Sequence, residues 1–402
     1  MRSTYRLVVL AVLCTSIVGL TLPAAAQYEA KGLPLGGFRL YPTLDLNANY
    51  DTNIYRTQTA TKSGYYFAEN PGFNLQSQWG RHELDLFGAL NAYQYSSLTN
   101  ESHLDLNIGG RGRLDILRGI DLAGGGSYAV QHESRTSPDQ PGFAEKPTQF
   151  SVTQANAALS YHPYHFGFVM GGTLARYDYD STLLIGLPAL NNSDRNRDEY
   201  GAYAKGSYEF SPGYAMFIQA NLRNVQYDLT HDRNSLQRDN NGYSVNFGLD
   251  MLVTDLVKGQ IFVGYLNQRY HAPLVEVSGF NFGANVDWSP TPLWTFHLTA
   301  SRTLNGTTVN NASAQDDQAV RLGVDYSILP NVMVVTHVGY TDSVFNGSPR
   351  DDKYTDAGIG LNYSMNHNIT AELAYTYQKR DSTITGQSFN DNLVTVGLNF
   401  HL

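Results

Sequence analysis

Residues 38–50 read Phe-Arg-Leu-Tyr-Pro-Thr-Leu-Asp-Leu-Asn-Ala-Asn-Tyr. Phe38, Leu40, Pro42, Leu44, Leu46, Ala48 and Tyr50 take the even places, and Arg39, Tyr41, Thr43, Asp45, Asn47 and Asn49 the odd ones. Side chains of an extended chain point alternately to opposite faces, so this segment is a strand with one oily side and one wet side.

The pattern repeats along the chain. Leu104, Leu106, Ile108, Leu114 and Ile116 oppose Asp105, Asn107, Arg111, Arg113 and Asp115. Tyr243, Val245, Phe247, Leu249 and Met251 oppose Ser244, Asn246 and Asp250, and Val320, Leu322, Val324 and Tyr326 oppose Arg321 and Asp325. About eighteen such strands of about ten residues fit into 38–402, the length a tilted strand needs to cross a bilayer. The connections alternate as well. Short turns such as Ser211-Pro212-Gly213 and Leu329-Pro330-Asn331 take turns with long polar loops at 51–64, 134–148, 180–197, 228–241, 305–317, 344–353 and 381–390. Short turns at one end and long loops at the other mark an outer-membrane barrel, and an even strand count returns both termini to the periplasmic side. The expected fold is an all-β transmembrane antiparallel up-and-down barrel of about 18 strands.

A soluble sandwich also alternates, but two features oppose it. Mid-strand, the oily face is expected to carry no charge, with Arg176 and Arg302 falling at strand ends. A midplane Arg or Lys costs about 2–4 kcal/mol, which explains that rule. The aromatics also form two belts. Trp79, Trp288, Trp294, Tyr161 and Phe210 lie near the short turns, whereas Tyr50, Tyr128, Tyr243, Phe280 and Tyr340 lie near the long loops. Rings prefer the headgroup level, so two belts suit two membrane interfaces.

Composition points the same way. Of 402 residues only 16% are charged, while 28 are Tyr, 18 Phe and 37 Gly, a poor recipe for long helices. The N-terminus carries Arg2 and Arg6, an apolar run from Leu7 to Leu22, and Pro23-Ala24-Ala25-Ala26. That is a secretory signal peptide over 1–26, followed by a periplasmic segment over 27–37 and the barrel over 38–402. The single cysteine, Cys14, lies inside the signal, so the exported chain has no disulfide. With Arg2 and Arg6 removed, 25 basic residues face 36 acidic ones, and no basic cluster exists to neutralise phosphates. Nucleic acid is not a partner.

The end of the chain, Thr395-Val396-Gly397-Leu398-Asn399-Phe400-His401-Leu402, resembles the C-terminal signal read by the barrel-assembly machinery. Gly397, Phe400 and Leu402 carry it, with Leu402 where Phe is usual. The stretches Tyr50-Asp51-Thr52-Asn53-Ile54-Tyr55, Trp79-Gly80-Arg81-His82-Glu83-Leu84, Gly112-Arg113-Leu114-Asp115-Ile116 and Lys146-Pro147-Thr148-Gln149-Phe150 resemble outer-membrane β-barrel porins of proteobacteria. The resemblance covers nearly all of 34–402. It implies an outer-membrane channel often associated with exopolysaccharide synthesis and export, and defines no catalytic residue.

The wet face predicts a lumen lined by Arg39, Asp45, Arg111, Arg113, Lys205, Arg223, Arg321, Asp325 and Glu372. Arg111, Arg113, Lys205 and Arg321 fall near mid-depth, where a basic ring would favour anionic cargo. Pairing with Asp45, Asp325 or Glu372 across the lumen would instead stiffen the wall. Tyr41, Tyr93, Tyr95, Tyr203 and Phe217 fall on the wet parity, where they can stack on sugar rings or pack across strands. No Gly-x-Ser-x-Gly, His-Glu-x-x-His or phosphate loop is present. His231 with Asp228 and Asp232, and Asp351 with Asp352, read as solvated loop charge. The expectation is a channel with no catalytic, metal or cofactor site. Its partners are outer-membrane lipid, lipopolysaccharide, the assembly machinery and polysaccharide-export components. Exopolysaccharide export is set beside a small-solute diffusion porin and a non-conducting structural barrel.

Overall fold

The computed structural model describes residues 31–253 and 256–402, so the signal peptide expected over 1–26 lies outside the described residues. Eighteen long strands run in sequence. They are β1 Phe38–Asp51, β2 Gly64–Ser77, β3 Glu83–Tyr95, β4 His103–Leu117, β5 Ile120–His132 and β6 Gln149–Tyr161. The middle third comprises β7 Phe166–Tyr179, β8 Arg197–Ser211, β9 Tyr214–Tyr227, β10 Asn240–Val253, β11 Val257–Tyr270 and β12 Val277–Thr291. The last six are β13 Trp294–Asn305, β14 Gln315–Leu329, β15 Val332–Phe345, β16 Asp351–Ser364, β17 Ile369–Ser382 and β18 Phe389–His401. At 12 to 15 residues they exceed the expected ten, because their outer ends continue into the loop layer. Sequence reading also passed over the outer connections at 96–102 and 271–276, which are too short to stand out as polar loops.

Every long strand pairs antiparallel with its sequence neighbours, and β1 closes on β18 from Thr43 opposite His401 to Asp51 opposite Leu393. Closure is what the bilayer demands, since an open edge in hydrocarbon leaves backbone groups unsatisfied. Hydrogen-bonded partners followed once around the wall return to β1 displaced by about 22 residues. That stagger tilts the strands by about 40° and sets a backbone radius of about 18 Å. A wall of that width encloses more space than its own side chains fill.

The seam is reinforced locally. At its outer end, Arg56 sits between Asp51 of β1 and Asp391 of β18, at 3.0 and 3.1 Å. Lower down, the Asn47 amide oxygen lies 2.2 Å from where a Cβ on Gly397 would stand. A side chain there would displace the Asn47 amide. Phe400 pairs with Leu44, and the Leu402 amide donates to the Pro42 carbonyl at 3.3 Å. Ahead of β1, Leu33–Leu35 folds back onto Phe38–Leu40, and Arg39 donates to the Lys31 carbonyl at 2.6 Å.

The outer wall is apolar, with Leu104, Ile108, Phe168, Leu222, Phe247, Leu322 and Val396 all exposed. Its inner belt is continuous where Trp294 stacks on Tyr326 at 4.1 Å and Trp288 meets Phe296 at a tilt, 5.2 Å between centres. The charge-free rule fails at one place. Glu69 of β2 shares the face of Tyr65, Phe67 and Phe73, opposite Leu46 and Ala92, and is exposed at mid-strand. Among the described residues it has no hydrogen-bond or ion-pair partner. The strand was misread there because Tyr65, Tyr66 and Phe67 put aromatic residues on both parities. By contrast, Arg176 and Arg302 do sit at outer strand ends, neutralised by Asp228 and Asp178 and by Asp316, each at 2.6 Å.

Candidate functional site: the lumen and its outer mouth

The inner wall takes its charge from neighbouring strands. Arg111 binds Asp85 at 3.1 Å, Arg113 binds Glu83 at 2.7 Å, and Lys205 binds Asp250 at 2.8 Å. Arg223 binds Glu199 and Arg321 binds Asp356, both at 2.8 Å. These partners lie one or two strands away, because a tilted ladder puts side chains of adjacent strands within reach while the opposite wall lies beyond any side chain. Pairing with Asp45, Asp325 or Glu372 across the bore therefore does not occur. Asp325 instead meets His297 at 3.1 Å, and Glu372 accepts from Asn399 at 3.4 Å. Asp45 stands opposite Asn399 and Asn70. Arg113 is not at mid-depth either. It faces Glu83, the first residue of β3, near the short-turn end. Of these five cations Arg111 and Arg321 are the most exposed, at 66% and 43%.

The wet-face aromatics divide into two groups. Phe217 is buried beneath Lys205, whose ammonium lies 4.0 Å from the ring centre, and its ring lies over Gly248 of β10. Tyr203 lies over Gly171 of β7 in the same manner. Tyr41 touches Gly32 of the N-terminal segment. These three lie against wall or N-terminal backbone. Tyr93 and Tyr95 differ. Tyr95 stacks on Tyr66 at 4.8 Å, Tyr66 lies 6.4 Å from Tyr93, and Tyr93 stacks on His103 at 4.6 Å. A run of rings thus crosses the outer ends of β2, β3 and β4 on the inner wall, with Tyr66 opposite Tyr95 and Tyr93 opposite His103. Tyr66 and His103 escaped sequence reading. Their membership depends on which strand positions face each other, and alternation alone does not carry that.

Above this ladder the outer loops converge. The loop 133–148 between β5 and β6 is the organiser. At its root, Arg135 forms an ion pair with Glu101 and lies 5.3 Å from the Tyr55 ring centre, while Glu133 pairs with Arg195. Farther along, the Thr136 carbonyl accepts from Arg380 of β17 at 3.0 Å. Asp139 accepts from the Thr307 hydroxyl at 2.9 Å and the Thr308 amide at 2.8 Å, in the loop between β13 and β14. The loop between β13 and β14 stands on the far side of an eighteen-strand ring and β17 about a third of the way round, so the loops together bridge the mouth. Arg238 extends the bridge, binding Asp232 at 2.8 Å and the Ala312 carbonyl, with all of them buried.

The loop charges read from the sequence as solvated are mostly engaged. Asp232 and Asp352 are buried against Arg238 and Arg350. Burial alone would raise the Asp194 carboxyl, but Arg233, bonded to it at 2.6 and 2.7 Å, holds it below the usual range. Arg176 lowers Asp228 in the same way.

One grouping was missed entirely. His103, Asp105 and His132 place one donor atom each within 4.8 Å of one another. The signal available was His103 and Asp105 on one face, but the third member comes from the next strand and needs the register.

A family model described as "Putative beta-barrel porin 2" matches residues 25–402. Among solved structures, the outer-membrane protein OpdK of Pseudomonas aeruginosa, crystallised with vanillate, aligns over 90% of this chain and 99% of its own, at 14% identity and a TM-score of 0.48. The siderophore receptor PirA of Acinetobacter baumannii aligns over 90% and 80%, at 8% identity and a TM-score of 0.49. No curated protein matches.

Proposed function

The chain belongs to the family described as "Putative beta-barrel porin 2", and from that premise we propose that this outer-membrane channel is a passive path for exopolysaccharide leaving the cell. The observation that carries the reading is the ladder of Tyr66, Tyr93, Tyr95 and His103 below the outer mouth. A sugar ring has one apolar face and a hydroxyl rim, so a polymer can slide from ring to ring while wall amides and carboxylates replace its water. No step consumes energy and no cofactor takes part. The cations at Arg111, Arg113, Lys205 and Arg321 each have a carboxylate beside them, which makes the bore polar and close to balanced at those points.

A second reading is favoured by one observation. The bridge of Thr136, Asp139, Thr307 and Arg380 narrows the mouth, which suits a diffusion porin for small hydrophilic solutes. Deleting the gene and measuring secreted polymer separates the two. Loss of secreted polymer, with uptake of small solutes unchanged, is the expected result. Normal secretion together with slower small-solute uptake transfers the function to the diffusion porin. A folded barrel that never conducts in a planar bilayer removes both.

A further inference from the structure

We propose that His103, Asp105 and His132 form a binding site for one divalent transition-metal ion, seated at the β5 root of the mouth-bridging loop. The His103 and His132 ring centres are 4.7 Å apart, and His132 Nδ1 lies 2.8 Å from the Asp105 carboxylate. Two imidazoles and a carboxylate, with one donor from each within 4.8 Å, need to draw in by about an ångström to surround an ion held at roughly 2.0–2.2 Å. The donor set selects the ion class. Imidazole nitrogen with one carboxylate suits zinc, nickel, copper or iron, whereas calcium and magnesium prefer all-oxygen shells.

The surroundings are those of a metal ligand set. His103 Nδ1 lies 2.6 Å from the Glu101 carbonyl, which places the proton on Nδ1 and leaves the Nε2 lone pair for the ion. Tyr93 stacked on the same ring fixes its plane. The His132 side chain is only 9% exposed and that of Asp105 19%, so the ligands are shielded from bulk water.

The position gives the ion a consequence. Glu101, two residues before His103, grips Arg135, and Glu133, next to His132, grips Arg195. An ion joining β4 to the end of β5 would lock both anchors of the loop 133–148. The inference concerns the wall and loop, so it stands whichever cargo the channel carries.

The test uses the folded full-length barrel in detergent, stripped with a chelator and titrated with zinc by calorimetry. One saturable site is expected, weakened at least tenfold by His103→Gln and by His132→Gln and unchanged by His231→Gln in an outer loop. Cobalt(II) added to the unsubstituted barrel supplies a reading independent of any variant. A visible ligand-field band abolished by excess zinc supports nitrogen and oxygen coordination. Absence of saturable zinc binding, binding that survives both histidine substitutions, or a cobalt spectrum identical to the aquo ion overturns the site.

Discussion

Asp139 accepts a hydrogen bond from Thr307 at 2.9 Å, although the two lie 168 residues apart and descend from opposite sides of the barrel. The contact fixes the tip of the loop 133–148 across the mouth, and the Thr308 amide and hydroxyl add two more bonds to the same oxygen. A carboxylate holding three donors is the strongest tie on that tip, since hydrogen bonds to charged groups contribute about 1.5–3 kcal/mol each.

Asp139→Ala is therefore expected to release the tip and raise single-channel conductance in planar bilayers. The size cut-off for polyethylene glycol partitioning should rise with it. Conductance equal to that of the unsubstituted barrel would mean that the bridge does not limit flow.

Tyr66→Ala and Tyr93→Ala are expected to shorten the current blockades caused by added oligosaccharide. An aromatic contact contributes about 0.5–1.5 kcal/mol, so each loss should shorten the dwell roughly 2- to 10-fold. Tyr203→Ala serves as the contrast, because its ring lies over Gly171. Equal effects at all three positions would discard the ladder as a sugar track.

Replacing Arg111, Arg113 and Arg321 together by Ala leaves Asp85, Glu83 and Asp356 without their partners. The bore then gains negative charge at three places, and reversal potentials in a salt gradient should move toward cation preference. A reversal potential that stays put would show that permeating ions do not sense these wall pairs.

Glu69→Leu is expected to stabilise the barrel against urea. The gain should fall below the about 2–4 kcal/mol that a midplane Arg or Lys costs, because a carboxyl costs less there. A neutral or destabilising result would show that Glu69 meets a partner within the membrane.

The acid limit of the mouth follows from Asp194 and Asp228, whose carboxyls Arg233 and Arg176 hold below the ordinary range. A depressed carboxyl contributes its stability fully above the unfolded-state value of about 3.9 and loses it as pH falls through the folded value. Protection factors for amide exchange in residues 191–195 and 228–239 should stay flat from pH 8 to about 5 and fall only below about 4. A loss of protection that begins near pH 6 would contradict the pairing.

Alternation was enough to read the strands with their greasy and wet faces, and the lengths of turns and loops added the outer-membrane barrel. The faces follow from a single strand's two-residue pleat, which needs no knowledge of its neighbours. The inward direction of Arg111, Lys205 and Arg321 was legible for the same reason. Their partners were not, because Asp85, Asp250 and Asp356 are chosen by register between strands. Glu69 was lost where aromatic residues on both parities of β2 blurred the pleat.

Residue order along the chain thus determined a membrane barrel with a hydrated interior. Only the tertiary structure decided the width of that interior, the stacking of Tyr66 on Tyr95, the meeting of His103 with His132, and the crossing of the mouth by Asp139 and Thr307. The reason is physical. A pleat is a local property of one strand, whereas stagger around a closed wall and the paths of loops above it exist only when all eighteen strands have met.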